Sequence, residues 1–158
     1  MKLKDMMTLD PLCCVPGHTA VQAAQIMKQA NVGVVPIIDS ETGRKPIGIV
    51  TDRDLCLTII ADDLQPSTVQ VQDCMTREIV TAAIDDTVEE AAERMGDQQI
   101  RRLLVVDRHG TLQGIVATAD LVQRAHVPTG QTHETLRKVT TPSAQARKPQ
   151  RKTSKHAA

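Results

Sequence analysis

The 158-residue sequence contains no Phe, Tyr or Trp. Platforms that stack nucleic-acid bases, and aromatic cages for quaternary ammonium ions, cannot be built from it. Any planar ring it holds must lie between Val, Ile, Leu, Met and Pro, and its core must be aliphatic. Long apolar runs are missing too: Pro36-Ile37-Ile38 is typical, far short of the roughly 20 residues of a membrane span. Met1-Lys2-Leu3-Lys4-Asp5 is charged and no apolar stretch follows. No secretory signal is therefore expected, and the expected compartment is the cytoplasm.

Cysteine is scarce. Cys13, Cys14, Cys56 and Cys74 match no C-x-x-C metal template, and a disulfide between neighbours such as Cys13 and Cys14 would be strained. Free and mostly buried thiols are expected. Net charge is absent as well, with 19 Lys+Arg against 19 Asp+Glu. The balance hides a division. Residues 126–158 carry seven Lys/Arg (Arg137, Lys138, Arg147, Lys148, Arg151, Lys152, Lys155) against Glu134 alone, a surplus of six that residues 1–125 offset. An acidic body thus precedes a basic tail. The length suits one compact domain, or two small units sharing a core, burying roughly 70% of the unfolded surface.

What the sequence does have is an internal repeat. Asp5-Met6-Met7-Thr8 returns as Asp73-Cys74-Met75-Thr76. At the same offset of 68, Thr19, Ala23, Ala24, Met27 and Asp39 return as Thr87, Ala91, Ala92, Met95 and Asp107. After a turn two residues shorter, Gly48-Ile49-Val50 returns as Gly114-Ile115-Val116, and Asp54-Leu55 as Asp120-Leu121. So long a period, seen twice, indicates two copies of one small unit rather than a solenoid.

Each copy opens on a short predicted strand, Leu12–Val15 or Ile79–Ala82. Thr19 and Thr87 then occupy helix-cap positions. Ala20, Ala23, Ala24 and Met27, like Val88, Ala91, Ala92 and Met95, recur at i, i+3, i+4, i+7, which predicts a helix with one buried face. Two β-rich runs follow, Val34–Ile38 with Pro46–Val50, and Leu103–Val106 with Leu112–Val116, joined by hairpin-length polar turns. A second helix is predicted from Thr51-Asp52 or Thr118. Leu55, Cys56, Leu57, Ile59 and Ile60 make the first of these apolar nearly all round, which predicts burial by its own sheet and by a partner copy or subunit. The unit is β-α-β-β-α, twice, an α/β (α+β) fold with repeats over 1–66 and 67–126. Beyond Val127 the pattern stops. A linker or short docking segment around Leu136 and Val139 is expected over 127–139, and disorder over 140–158.

The densest motif is Gly48-Ile49-Val50-Thr51-Asp52-Arg53-Asp54. A strand ends at a glycine that lets a ligand approach, a hydroxyl opens a helix whose N–H groups attract phosphate, and an acid one turn on can accept ribose hydroxyls. The same Thr-x-x-Asp is also close to a capping box, in which both side chains satisfy backbone N–H groups and bind nothing. His18, His109 and His126 fall in predicted turns or ends, and no metal-ligand spacing or Ser-His-Asp or Cys-His set stands out. Met6, Met7, Met27, Met75 and Met95 read as core filler.

Taken together, two β-α-β-β-α units that open on Asp-x-Met-Thr and close on Gly-Ile-Val and Asp-Leu, with Val-Val-Pro-Ile-Ile-Asp or Leu-Leu-Val-Val-Asp between, resemble a pair of cystathionine β-synthase (CBS) domains, the Bateman module, in a stand-alone bacterial-type form. The resemblance covers about residues 1–125. It implies a disc with a pseudo-two-fold axis and a cleft that in many members takes adenosine-containing ligands: AMP, ADP, ATP or S-adenosylmethionine. It also implies a regulatory, non-catalytic protein and a homodimer. Carried over, the family's Gly-h-x-Thr/Ser-x-x-Asp motif implies Thr51 for phosphate and Asp54 for ribose after Gly48. In the second copy Gly114 and Asp120 match, but Ala117 stands in place of the hydroxyl. Thr81 falls where a base-touching Thr is often found, with Cys13 its counterpart, and Arg101 where a phosphate-reaching cation sits, with Gly33 its counterpart. No cofactor is required on this reading; an adenosyl ligand would regulate an association with itself or with an unidentified effector protein. Two alternatives stand beside it: an assembly scaffold that has lost its ligand, and sequence-blind binding of nucleic acid or an acidic partner by the basic tail.

Overall fold

The computed structural model describes residues 1–123 and 129–141. The basic stretch Arg147–Lys155, and with it most of the expected disorder, lies outside the described residues.

In the first repeat β1 (Thr8–Leu9), α1 (Ala20–Ala30), β2 (Val34–Ile38), β3 (Pro46–Thr51) and α2 (Asp52–Leu55) follow in order, α2 running on into a π-helical turn over Cys56–Ile60. In the second, α3 (Val71–Cys74), β4 (Thr81–Ala83), α4 (Val88–Gln98), β5 (Arg102–Val106), β6 (Leu112–Ala117) and α5 (Thr118–Gln123) follow, and α6 (Thr129–Thr140) closes the described chain. Local chemistry repeats with the sequence. Thr19 and Gln22 cap α1 reciprocally, as Thr87 and Glu90 cap α4. Asn31 and Gln99 end these helices in the left-handed region, each with φ 53°. The β2–β3 register shifts between Ile37 and Ile38, and the β5–β6 register between Val105 and Val106, the same place in each copy.

The expected strand Leu12–Val15 is reduced to one parallel bridge between Cys14 and Ile37, whereas its counterpart forms β4 on β5. The neighbouring β2 residue is Pro36, which has no N–H to extend that ladder.

The repeats exchange their opening segments. β1 pairs antiparallel with β6 of the second repeat, and Thr76 bridges Ile49 on β3 of the first. Leu3, Met6 and Met7 accordingly sit in the core of the second repeat with Val88, Met95 and Leu103. Val69 and Val71 sit in the first core with Ala23, Val35 and Val50. A third cluster, Ile38, Leu104 and Leu112 with Ile49, Ile79 and Ile115 against them, joins the two halves.

The docking segment expected around Leu136 and Val139 is α6, which lies on α4. Val139 is 7% exposed and Thr135 5%, and the Thr135 hydroxyl donates to the Ala92 carbonyl over 3.3 Å. The apolar α2 extension, by contrast, is buried on one side only. Leu55 and Ile59 face the core, while Leu57 is 52% and Ile60 74% exposed. No disulfide joins the four cysteines, and Cys56 is exposed rather than buried.

Candidate functional site

Two clefts border the contact between the halves, and Val34, Arg102 and Ile115 line both. Arg102, the first residue of β5, lies opposite Ala117 at the end of β6, and Val34 lies opposite Thr51 on the other hairpin. The pseudo-symmetric positions 34 and 102 line the same two clefts, and of the pair only position 102 carries a cation.

The larger cleft, about 590 Å³, is lined by Leu12 and Val32 of the first repeat, by Leu9 and Asp10 of the exchanged opening segment, and by Arg102 and Asp120 of the second repeat. Leu9, Leu12 and Val32 line it with 66%, 49% and 43% of their surface exposed. That is an unusual cost for aliphatic side chains, and three of them converge on one cavity. Gly33 and Pro36 continue this wall, and Ala117 and Asp120 stand across from it. The Asp120 carboxylate accepts from the Ala117 N–H at 2.8 Å through Oδ2. The smaller cleft, about 290 Å³, is lined by Glu78, Ile79, Ile100 and Arg101.

The residues singled out in the sequence are thus distributed unevenly. Asp120 lines the larger cleft and Arg101 the smaller one. Thr51 and Asp54 line neither and instead cap α2 reciprocally: the Asp54 N–H donates to Thr51 Oγ1 at 3.1 Å, and the Thr51 N–H to Asp54 Oδ2 at 2.9 Å. Thr81 lies on β4, where its carbonyl accepts from Arg94 at 2.9 Å.

Gly48 and Gly114 have a packing reason. A Cβ on Gly48 would meet Met75 Sδ at 2.7 Å and the Thr76 carbonyl at 2.9 Å; on Gly114 it would meet Met7 and the Thr8 carbonyl. The glycines admit the exchanged segments.

Arg102 and the exposed apolar trio escaped the sequence reading. That positions 34 and 102 line the same clefts follows from the fold and not from their spacing in the sequence. Burial pushes the thiols of Cys13 and Cys14 up to about 11, so neither is a ready nucleophile near neutral pH. Among the described residues no group of three His, Cys, Asp or Glu could hold a metal ion, and no helix is long and apolar enough to cross a membrane.

With two βαββα halves that exchange their opening segments and clefts at their junction, the architecture is that of a paired-repeat module. The chain belongs to the CBS domain family, whose model matches residues 3–60 and again 71–126. It is 41% identical over 120 residues to the protein YlbB of Bacillus subtilis (strain 168), covering 76% of this chain and 79% of that one. It is 37% identical over 119 residues to the CBS domain-containing protein YhcV of the same organism, covering 75% and 81%. Among solved structures it is similar to the CBS domain pair of protein MJ0100 in complex with 5′-methylthioadenosine and S-adenosyl-L-methionine. The TM-score is 0.68 and the identity 28%, covering 78% of this chain and 94% of that one.

Proposed function

We propose that this protein is a non-catalytic regulatory module that binds an adenosine-containing ligand, such as AMP, ADP, ATP or S-adenosylmethionine, in the larger cleft. The observation that carries the reading is the meeting of Leu9, Leu12 and Val32 with Asp120 and Arg102 around one cavity. In a chain without aromatic residues, exposed aliphatic side chains are what can sandwich a purine. The Asp120 carboxylate can accept from ribose hydroxyls, and the Arg102 guanidinium supplies charge-assisted hydrogen bonds to a phosphate or carboxylate. Likeness to a CBS pair that holds two adenosyl compounds supports the ligand class.

Regulation follows from where these groups come from. Leu12 and Val32 stand on the first repeat, whereas Leu9 on the exchanged β1, Asp120 and Arg102 stand with the second. A ligand touching both favours the arrangement of halves that brings them closest, and shifts any equilibrium tied to that arrangement by its differential affinity. Asp52 offers a path outward: its N–H donates to the Gly33 carbonyl at 3.1 Å, so the cleft wall is bonded to the start of α2.

The rival reading, a scaffold without ligand, is favoured by the Thr51–Asp54 cap, which spends the one intact motif on the helix. Near-ultraviolet absorbance separates the two. A chain without Tyr or Trp is nearly transparent there, so purified protein that absorbs like a purine, and releases that absorbance through a filter on denaturation, carries nucleotide. If no adenosyl compound is carried over and none is retained after incubation with AMP, ATP or S-adenosylmethionine, the scaffold reading stands.

A further inference from the structure

Arg102 is the charged residue that the two clefts have in common. The charged lining of the larger cleft is Asp10, Arg102 and Asp120, and that of the smaller is Glu78, Arg101 and Arg102. Without Arg102 the larger cleft would keep acids alone, one of which, Asp10, is already engaged by Arg44 at 2.8 Å. The smaller cleft would still set Arg101 against Glu78. An anion in the larger cleft therefore depends on Arg102 entirely, and an anion in the smaller cleft depends on it in part.

The backbone at this point is held and the side chains are not. Arg102 is paired with Ala117 between β5 and β6, and the Arg101 carbonyl accepts from the Thr118 N–H at 2.9 Å. Both arginines are exposed, and among the described residues no acid pairs with either guanidinium. The Arg102 side chain is thus uncommitted, at a fixed root on the border of two cavities.

We infer that Arg102 couples the two clefts antagonistically: a small oxyanion such as phosphate in the smaller cleft draws on the same guanidinium and weakens the hold of the larger cleft on an anionic adenosyl ligand. A guanidinium has five N–H donors and could touch two anions at once, but its single positive charge offsets one of them. The second anion then meets a neutralised arginine and, one cleft away, a further negative charge.

The coupling is reciprocal by linkage, so the adenosyl ligand weakens the oxyanion by the same factor. It acts through charge, and an adenosyl compound without a negative group escapes it. The inference rests on the adenosyl reading of the larger cleft, and its test is arranged so that the two fail separately.

The full chain is titrated calorimetrically with AMP and with adenosine, in buffer without phosphate and in saturating phosphate, with chloride matching the ionic strength. Equilibrium dialysis of labelled phosphate against the protein alone reads the smaller cleft by itself. Wild type is expected to retain phosphate, and phosphate is expected to lower AMP affinity at least about fivefold. Adenosine affinity is expected to stay within about twofold. Arg101→Ala, an exposed change outside the larger cleft, is expected to retain less phosphate and to lose the effect of phosphate on AMP. Circular dichroism establishes that this variant is folded. Wild type that retains no phosphate overturns the inference, as does AMP binding that is indifferent to phosphate, while the larger cleft keeps its ligand. A weakening of AMP that persists undiminished in Arg101→Ala overturns it too, because phosphate then competes inside the larger cleft itself, and so does adenosine weakened as much as AMP. Protein that retains phosphate but binds neither AMP nor adenosine overturns the reading of the larger cleft, and the coupling with it.

Discussion

Met75 of the second repeat lies against Gly48 of the first so closely that a Cβ on the glycine would stand 2.7 Å from its sulfur, with the Thr76 carbonyl 2.9 Å away. Met7 stands in the same relation to Gly114. The two most recognisable motifs of each repeat, Asp-x-Met-Thr and Gly-Ile-Val, are therefore two sides of one contact, and each contact joins opposite repeats.

Gly48→Ala and Gly114→Ala should each destabilise the fold by about 1–3 kcal/mol, the usual cost of overpacking. A Met side chain can bend away, but the strand carbonyls of Thr76 and Thr8 cannot. Combining Gly48→Ala with Met75→Ala should therefore leave the glycine defect largely unrelieved. Chemical denaturation measures this; a Gly48→Ala protein as stable as wild type would contradict the close approach.

Replacing Thr51 by Val should cost about 1 kcal/mol, as the loss of a helix cap does. Asp54→Asn should weaken the same cap. If the pair serves α2 alone, both variants lower the denaturation midpoint and leave adenosyl affinity within about twofold, well under the tenfold that corresponds to 1.4 kcal/mol.

The expected two-repeat β-α-β-β-α order was legible because it rests on local chemistry: the Thr caps at 19 and 87, the i, i+3, i+4, i+7 alanines, and the alternation of β6. The site was less legible. Thr51-x-x-Asp54 satisfies a ligand motif and a capping box with the same atoms, and only the three-dimensional positions of the clefts separate these uses. Arg102 was passed over because Val34, which lines the same two clefts, is 68 residues away in the sequence. Ala24 and Ala92 read identically in sequence, and their different burial depends on α6, a helix without a counterpart in the first repeat.

Acid should loosen the hairpin turns. Backbone N–H donation from Thr111, reinforced by His109 and by the Gln113 side chain, holds the Asp107 carboxyl below its usual pKa, and Lys45 and Ser40 do the same for Asp39. A depressed folded-state pKa contributes stability that is present above the unfolded pKa, about 3.9, and is lost as pH falls through the lower folded value. Asp107→Asn should melt below wild type at neutral pH, and the gap should narrow as pH drops past that window. A gap that widens toward acid would contradict the assignment.

Thiol reactivity should rank by burial and ionisation. Cys56 is exposed, whereas burial raises the Cys13 and Cys14 pKa to about 11. Because only the thiolate reacts, iodoacetamide in mildly alkaline buffer should modify Cys56 well before Cys13 or Cys14, as read by peptide mass. The raised folded-state pKa adds stability that is present below the unfolded thiol value and disappears as pH rises through about 11. Rapid modification of Cys14 in folded protein would contradict its burial.

Unseating α6 should uncover the second helical face. Val139→Asp places a charge where 7% of the side chain is exposed. It should raise amide exchange in α4, where Ala92 and Met95 become accessible. Hydrogen exchange reads this; unchanged exchange in α4 would mean that α6 contributes no protection there.

The most direct measurement is calorimetric titration of AMP, ATP and S-adenosylmethionine into wild type, Asp120→Asn, Arg102→Ala and Asp54→Asn. The account predicts that wild type binds at least one of them, that Asp120→Asn and Arg102→Ala each lose about tenfold or more, and that Asp54→Asn binds like wild type. Binding that is untouched by Asp120→Asn and Arg102→Ala, or no binding by any of the folded proteins, would contradict the claim that the larger cleft is an adenosyl seat.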